Sequence, residues 1–253
     1  MANSPRWVAA GQSDPGLVRE RNEDRWFADV DRGLFIVADG MGGHAAGALA
    51  AEIVVQSLPP LLEERLGDSP DLADPQTHER VRAALIDLSR QLRDASTGEF
   101  GLDGMGSTVV MALLNDDHAL IAHLGDSRAC LLRNGQLRQL TRDHSIVQLL
   151  VNHGEITESE ATHHPARNQL THFVGMEAAL PDVCCCEIQP DDLLLLCSDG
   201  ITGQVGVADL LKHTEPRIPP DEICRRLVHA ANAAGGQDNE TVVTIRVTAP
   251  ASH

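Results

Sequence analysis

Carboxylates set in tight turns are the first chemistry the sequence offers. Four acidic turns stand out, RNED (21–24), ADGMGGH (38–44), GDSR (125–128) and SDG (198–200), and a fifth, GGQDN (235–239), lies near the C-terminus. Singly, each reads as an ordinary reversal, because Asp-Gly and Gly-Asp pairs are common turn formers. Their placement says more. Asp39 follows the apolar run LFIVA and Asp199 follows LLLLCS, so each carboxylate emerges at the end of a buried strand; Asp24 and Asp238 instead adjoin the start of one. Carboxylates at the ends of neighbouring strands converge, and two like charges about 4 Å apart repel by about 4 kcal/mol at an effective dielectric of about 20. A hard divalent cation removes that cost, and all-oxygen ligation suits magnesium or manganese better than zinc.

The elements that must position these turns can be read from the same text. RWFADV (25–30) and GLFIVAD (33–39) flank Asp31 and Arg32 as a hairpin would. STVVMALL (107–114), HALIAHLG (118–125) and RACLLR (128–133) follow, the last joined to QLRQL through Asn134-Gly135, a strong hairpin signal. VCCCEI (183–188), DLLLLCSD (192–199) and ETVVTIRV (240–247) complete the strands. Helices are expected over 45–58, stopped by Pro59-Pro60, over 76–95, where Val81, Leu85, Leu88 and Leu92 share a face, and over 221–233 before Gly235-Gly236. Strands in meandering groups with helices bunched between them predict antiparallel sheets with helices layered outside. From Asp143 to Gly175 the text changes to a short helix, a capping box at TESE (157–160) and a histidine-rich loop, which reads as a solvent-facing flap within a single domain spanning 1–253.

Composition narrows the function classes. The 253 residues carry 20 Lys and Arg against 37 Asp and Glu, a net charge of −17. That balance argues against nonspecific nucleic-acid binding and against attachment to anionic lipid, and four Phe, two Trp and no Tyr leave little for base stacking. The six cysteines, at 130, 184, 185, 186, 197 and 224, include no CxxC pair and suit a reducing compartment. The N-terminus lacks a signal pattern, and no apolar run approaches the ~18 residues of a membrane span, so a cytoplasmic protein is expected.

Taken in order, VRERNED (18–24), ADGMGGHAAG (38–47), GMGST (104–108), GDSR (125–128), SDGIT (198–202) and GGQDNETVV (235–243) closely resemble the motifs of the metal-dependent serine/threonine protein phosphatases, the type 2C or PPM family, in its bacterial branch. The resemblance covers about residues 8–248. It implies an α+β fold, a four-layer sandwich of two central antiparallel β-sheets with helices packed outside each. It further implies that Asp39 bridges two Mn²⁺ or Mg²⁺ ions with the Gly40 carbonyl as a ligand of the first, and that Asp199 and Asp238 hold the second. Glu23 and Asp24 match residues that orient water around the ions, Arg19 matches the arginine that grips the substrate phosphate, and Asn239 would support Asp238. The implied reaction is hydrolysis of phosphoserine or phosphothreonine by direct attack of a water shared by the two ions, with no protein nucleophile. Implied partners are phosphorylated proteins and an opposing serine/threonine kinase, for a monomer that binds neither nucleic acid nor membrane.

Some positions depart from the family pattern. Met41 stands where some members carry a histidine after the DG pair, which leaves solvent or another side chain such as His44 to protonate the leaving group. Gly203 stands where many members have an aspartate for a third, weaker ion; Asp126, Asp199 and a flap carbonyl such as that of Asn168 could still form that site. His172 replaces an arginine usual in the flap. Histidines 144, 153, 163, 164 and 172 raise the possibility of a zinc site, but their spacing matches no pair on one helix face. Two other readings stay open: a catalytically silent relative acting as a regulatory or binding module, against which the intact Asp39, Asp199, Asp238 and Arg19 speak, and a metal hydrolase of another kind.

Overall fold

A computed structural model describes residues 6–97, 104–115 and 117–249, the side chain of His44 excepted. In chain order its strands are β1 (Trp7–Asp14), β2 (Asp24–Asp29), β3 (Leu34–Met41), β4 (Gly106–Ser107), β5 (Val109–Leu114), β6 (His118–Leu124), β7 (Arg128–Arg133), β8 (Gln136–Gln139), β9 (Asp182–Glu187), β10 (Leu193–Cys197) and β11 (Glu240–Val247). The helices are α1 (His44–Leu66), α2 (Pro75–Ser96), α3 (Ile146–Asn152), α4 (Glu158–Ala161), α5 (Asp199–Thr202), α6 (Val207–His213) and α7 (Pro220–Ala233). One sheet runs β1-β11-β10-β7-β8 and the other β2-β3-β5-β6-β9, with β4 added at the end of β3. Every pair is antiparallel.

Three apolar layers hold these elements together, as a four-layer sandwich requires. Phe35, Val37, Val110, Leu131, Leu194, Leu196, Val243 and Ile245 fill the space between the sheets. Ile36, Ala38, Met111 and Leu120 face the other way, onto α1 and α2, where Val54, Leu58, Val81, Leu85, Leu88 and Leu92 are buried. Beneath the five-stranded sheet, Leu193, Leu195 and Val242 meet Ile201, Leu210, Ile223 and Leu227 of α5, α6 and α7. With both faces covered, β3 and β10 read as continuous apolar runs instead of alternating ones. Period-two alternation puts Asp39 on the Phe35–Val37 side of β3, at the rim of the inter-sheet space.

Two expectations about α1 are corrected. The helix does not stop at Pro59-Pro60 but continues to Leu66 with both prolines inside it. A helix-interior proline costs about 3 kcal/mol, and fully burying a leucine returns about 1.5–3 kcal/mol. Leu62 is buried and Leu61 and Leu66 are packed against the same core, so the apolar face continues to stabilise the helix past the break. By length and hydropathy alone, Ala45–Leu66 could also cross a membrane. Here that apolar composition serves the layer formed with α2 and the six-stranded sheet, where Ala50, Ala51, Val54 and Leu58 are fully buried.

The 143–175 segment carries α3 and α4, and the capping box forms as expected: Thr157 Oγ1 accepts from the Glu160 backbone while the Glu160 carboxylate accepts from Thr157 N–H.

Candidate active site

The rims of the two sheets enclose a cleft of ≈ 280 Å³ lined by Arg19, Glu23, Asp39, Gly40, Met41, Asp126, Asn168, Asp199 and Asp238. Asp39 reaches it from the end of β3, Asp126 from the turn between β6 and β7, Asp199 from the first residue of α5, and Asp238 from the loop entering β11. Asp24, directly opposite Asp39 in the β2–β3 register, is 1% exposed and lies beneath the cleft, where one carboxylate oxygen accepts from Ser198 Oγ at 2.8 Å.

These carboxyls are crowded and poorly solvated. Burial, followed by the charges of Asp24, Asp199, Asp126 and Asp238, raises the Asp39 carboxyl well above the usual range. Burial and then Asp238 raise Asp199, although a hydrogen bond shared with Asp39 acts in the opposite direction. Asp126 is pushed up to about 8, chiefly by burial and then by Asp199. Asp24 is raised to about 7 by burial, against the pull of its hydroxyl partners. The cation bonded to the cluster is Arg19, whose Nη2 lies 2.8 Å from Asp238 Oδ2. Asp199 Oδ1 and Asp24 Oδ1 are buried without a hydrogen-bond partner. Raised carboxyls and an orphaned oxygen are the features a hard cation would relieve, so the residues fit the divalent ions that the motifs imply.

Local packing explains why these turns contain glycine. A Cβ on Gly40 would sit 1.9 Å from the Gly47 carbonyl, so the end of β3 can lie against the first turns of α1 only without a side chain there. Likewise a Cβ on Gly200 would lie 1.9 Å from the Asn239 carbonyl, and its absence lets the Asp199 turn approach the Asp238 loop.

Sequence reading named Asn239 as a support of Asp238 but missed the other supports of this arrangement. Thr108 brackets Asp39: its backbone N–H donates to Asp39 O at 2.8 Å, its hydroxyl accepts from Asp39 N–H at 3.1 Å, and that hydroxyl also meets Ser127 Oγ at 2.7 Å. Asn239 supports Asp238 through its backbone N–H, which donates to Asp238 Oδ1 at 2.9 Å, yet its side chain does something else. Its amide donates to Pro15 O and Arg21 O and its Oδ1 accepts from Glu23 N–H, which ties down the loop carrying Arg19. A polar residue beside Asp126, Asp199 and Asp238 was the available signal, whereas Asp39 is flanked by Ala38 and Gly40, and the partners lie up to 224 positions away in the chain. Of the flap histidines, 144 and 172 come together and are joined by His123 of β6, whereas His153 lies 3.8 Å from Glu155.

Comparison with known proteins agrees with this fold. Residues 18–239 match the protein phosphatase 2C family. The serine/threonine phosphatase stp of Listeria welshimeri is 36% identical over 239 residues, which covers 92% of this chain and 93% of that protein. The crystal structure of the serine/threonine phosphatase PstP/Ppp of Mycobacterium tuberculosis superposes with a TM-score of 0.82 at 34% identity, over 96% of this chain and 99% of that one. A catalytic-domain structure of PstP in complex with two manganese ions gives 0.79 at 35% identity, over 96% and 99%. A matching family profile, shared length and shared fold lead to one conclusion: the chain belongs to the protein phosphatase 2C (PPM) family of bacterial serine/threonine phosphatases, and is a phosphoprotein hydrolase.

Proposed function

We propose that the cleft hydrolyses phosphoserine and phosphothreonine esters with two divalent cations, Mn²⁺ or Mg²⁺, held by Asp39, Gly40 O, Asp199 and Asp238. Supporting this reading is the convergence of Asp39, Asp126, Asp199 and Asp238 on one cleft, with a buried Asp199 oxygen left unpartnered. When bound, such a pair supplies an activated water and neutralises charge developing on the phosphoryl group.

The chain's own residues do the rest. Arg19, 52% exposed at its side chain, bonds Asp238. With Asp238 engaged by a cation, the planar guanidinium would be free to offer two parallel donors to the phosphoryl oxygens. Glu23 sits at the cleft wall beside Gly47, where its carboxylate can accept from water. Asp24, bonded to Ser198, holds the residue that precedes Asp199. Asp126, with Asp199 and the Asn168 carbonyl, is our candidate for a third and weaker site. Thr108 also lines the cleft, but its hydroxyl is engaged by the Asp39 N–H and by Ser127, and in this reading the attacking group is water. We place this activity in the cytoplasm, in a monomer opposing a serine/threonine kinase.

The test is turnover of p-nitrophenyl phosphate and of a phosphothreonine peptide in Mn²⁺, Mg²⁺ or EDTA. Turnover with either ion and none in EDTA is expected. Undiminished turnover in verified metal-free buffer overturns the metal reading, and Mn²⁺ binding without any turnover would make the chain a silent regulatory relative.

A further inference from the structure

The GDSR turn is clamped at both ends by the adjacent pair Asp143-His144. Arg128 donates to Asp143 through Nε and Nη2 at 2.6 to 3.2 Å, and the Asp143 side chain is only 11% exposed. At the other end the His144 backbone N–H donates to Gly125 O at 3.0 Å, and the Gly125 N–H donates to the His144 ring at Nδ1, 3.3 Å away. An imidazole nitrogen that accepts carries no proton, so the ring hydrogen sits on Nε2, which faces Asp182 Oδ2 at 3.4 Å. His123 stacks on this ring with centroids 4.5 Å apart, and His172 meets its edge at 5.4 Å.

His144 stands at the start of the flap and is bonded to its far side. Thr171 N–H donates to His144 O and Ile146 N–H to Gln169 O, both at 2.8 Å, and Ser145 forms a β-bridge with Leu170. Asn168 and Leu170 line the cleft. One residue therefore grips both the turn that presents Asp126 and the flap segment that lines the cleft with it.

A metal is the other reading of this cluster, because ligand atoms of His123, His144 and Asp182 all lie within 4.8 Å of one another. The hydrogen bonds oppose it. His144 presents Nε2–H, not a lone pair, to Asp182, and His123 spends its own Nε2–H on Arg142 O at 2.9 Å. The His123 and His144 rings are stacked 4.5 Å apart with only 19° between their planes, so one ion cannot lie close to the plane of both, as ligation by in-plane lone pairs requires.

We propose that His144 is a positioning residue of the cleft, which fixes Gly125 and so holds Asp126 against the flap segment 168–171. The inference rests on the reading of Asp126 as a ligand of the third cation. Its test is Mn²⁺ bound per chain against free Mn²⁺, read by electron paramagnetic resonance, together with the Mn²⁺ concentration giving half-maximal hydrolysis of p-nitrophenyl phosphate, both measured for His144→Leu, His144→Gln and His144→Asn, each with and without Asp126→Ala, with melting in EDTA as the control for folding. Leucine has no acceptor and glutamine carries its polar group one atom too far out, so both should raise the Mn²⁺ requirement about fivefold, the factor carried by one hydrogen bond of about 1 kcal/mol. Asparagine places Oδ1 where Nδ1 was and should stay near wild type. In the Asp126→Ala background none of the three should add anything. An effect of Asp126→Ala with none from folded His144→Leu or His144→Gln overturns the inference alone. A raised requirement in folded His144→Asn, or one that persists on top of Asp126→Ala, overturns it as well. No effect of Asp126→Ala overturns the reading on which it rests.

Discussion

With metal chelated, the stability of this protein should fall as pH rises toward neutrality, and the carboxyl cluster sets how steeply. Asp24 and Asp126 stand at about 7 and about 8 in the folded chain against an ordinary 3.8, and Asp39 and Asp199 are raised in the same direction. A carboxyl raised on folding keeps its proton where the unfolded chain has lost it. Its contribution is therefore complete below the unfolded pKa and is lost as pH climbs to the folded one. Each such proton costs about 1.4 kcal/mol per pH unit within that window. Two of them between pH 5 and pH 7 amount to about 5–6 kcal/mol, the size of a marginal domain's whole stability. Loosening of the strand ends relieves part of the repulsion, so this is an upper limit. His123, lowered chiefly by burial, works in the opposite direction on the acid side, which is why the informative quantity is a difference between variants. Urea unfolding in EDTA at pH 5, 6, 7 and 8 should show the fall in wild type. Asp126→Asn keeps the shape without the titration and should flatten the slope by about 1.4 kcal/mol per pH unit at most. Saturating Mn²⁺ should reverse the trend, because the ions bind ionised carboxylates. An Asp126→Asn slope equal to that of wild type, in EDTA, refutes the reasoning.

Arg19→Ala should lower kcat/KM about 10–100-fold, mainly through KM, since charged hydrogen bonds are worth about 1.5–3 kcal/mol; unchanged kinetics would make Arg19 a surface residue. Thr108→Val removes the acceptor of Asp39 N–H and the partner of Ser127, and should cost about 1–3 kcal/mol in urea unfolding at constant m-value. Asn239→Ala frees the loop over residues 15–23 from three hydrogen bonds and should raise KM as Arg19→Ala does while leaving Mn²⁺ affinity within a few fold; wild-type KM would detach Asn239 from the Arg19 loop.

Much of this fold was legible because its strands are bounded by turn residues and α2 carries its apolar residues on one face, Val81, Leu85, Leu88 and Leu92. β7 and β8 meet at Asn134-Gly135 with both residues at positive φ, as the dipeptide promised. β1 was not foreseen: WVAAGQSD has weak β-propensity, and it is a strand because all eight residues pair with β11. α1 overran its prolines because Leu61, Leu62 and Leu66 beyond them pack on the same core, an offset to the cost that a local window does not show. α5 and α6 are short and gain their stability from the layer under the five-stranded sheet. At the cleft, Asp39, Asp126, Asp199 and Asp238 could be read because each sits in a turn whose glycines are needed for close approach. The grip of Thr108 on Asp39, of Asn239 on the Arg19 loop and of His144 on Gly125 could not, because each joins residues distant in sequence through a single side chain.

The most direct test counts ions. Equilibrium dialysis or electron paramagnetic resonance should find two tightly bound Mn²⁺ per wild-type chain, a third only at higher free concentration, and neither tight ion in Asp39→Asn at the same free Mn²⁺, where the folded state is confirmed by circular dichroism. Two tight ions in both proteins would contradict the assignment of Asp39 as the carboxylate the pair shares, and none in wild type would contradict the metal centre itself.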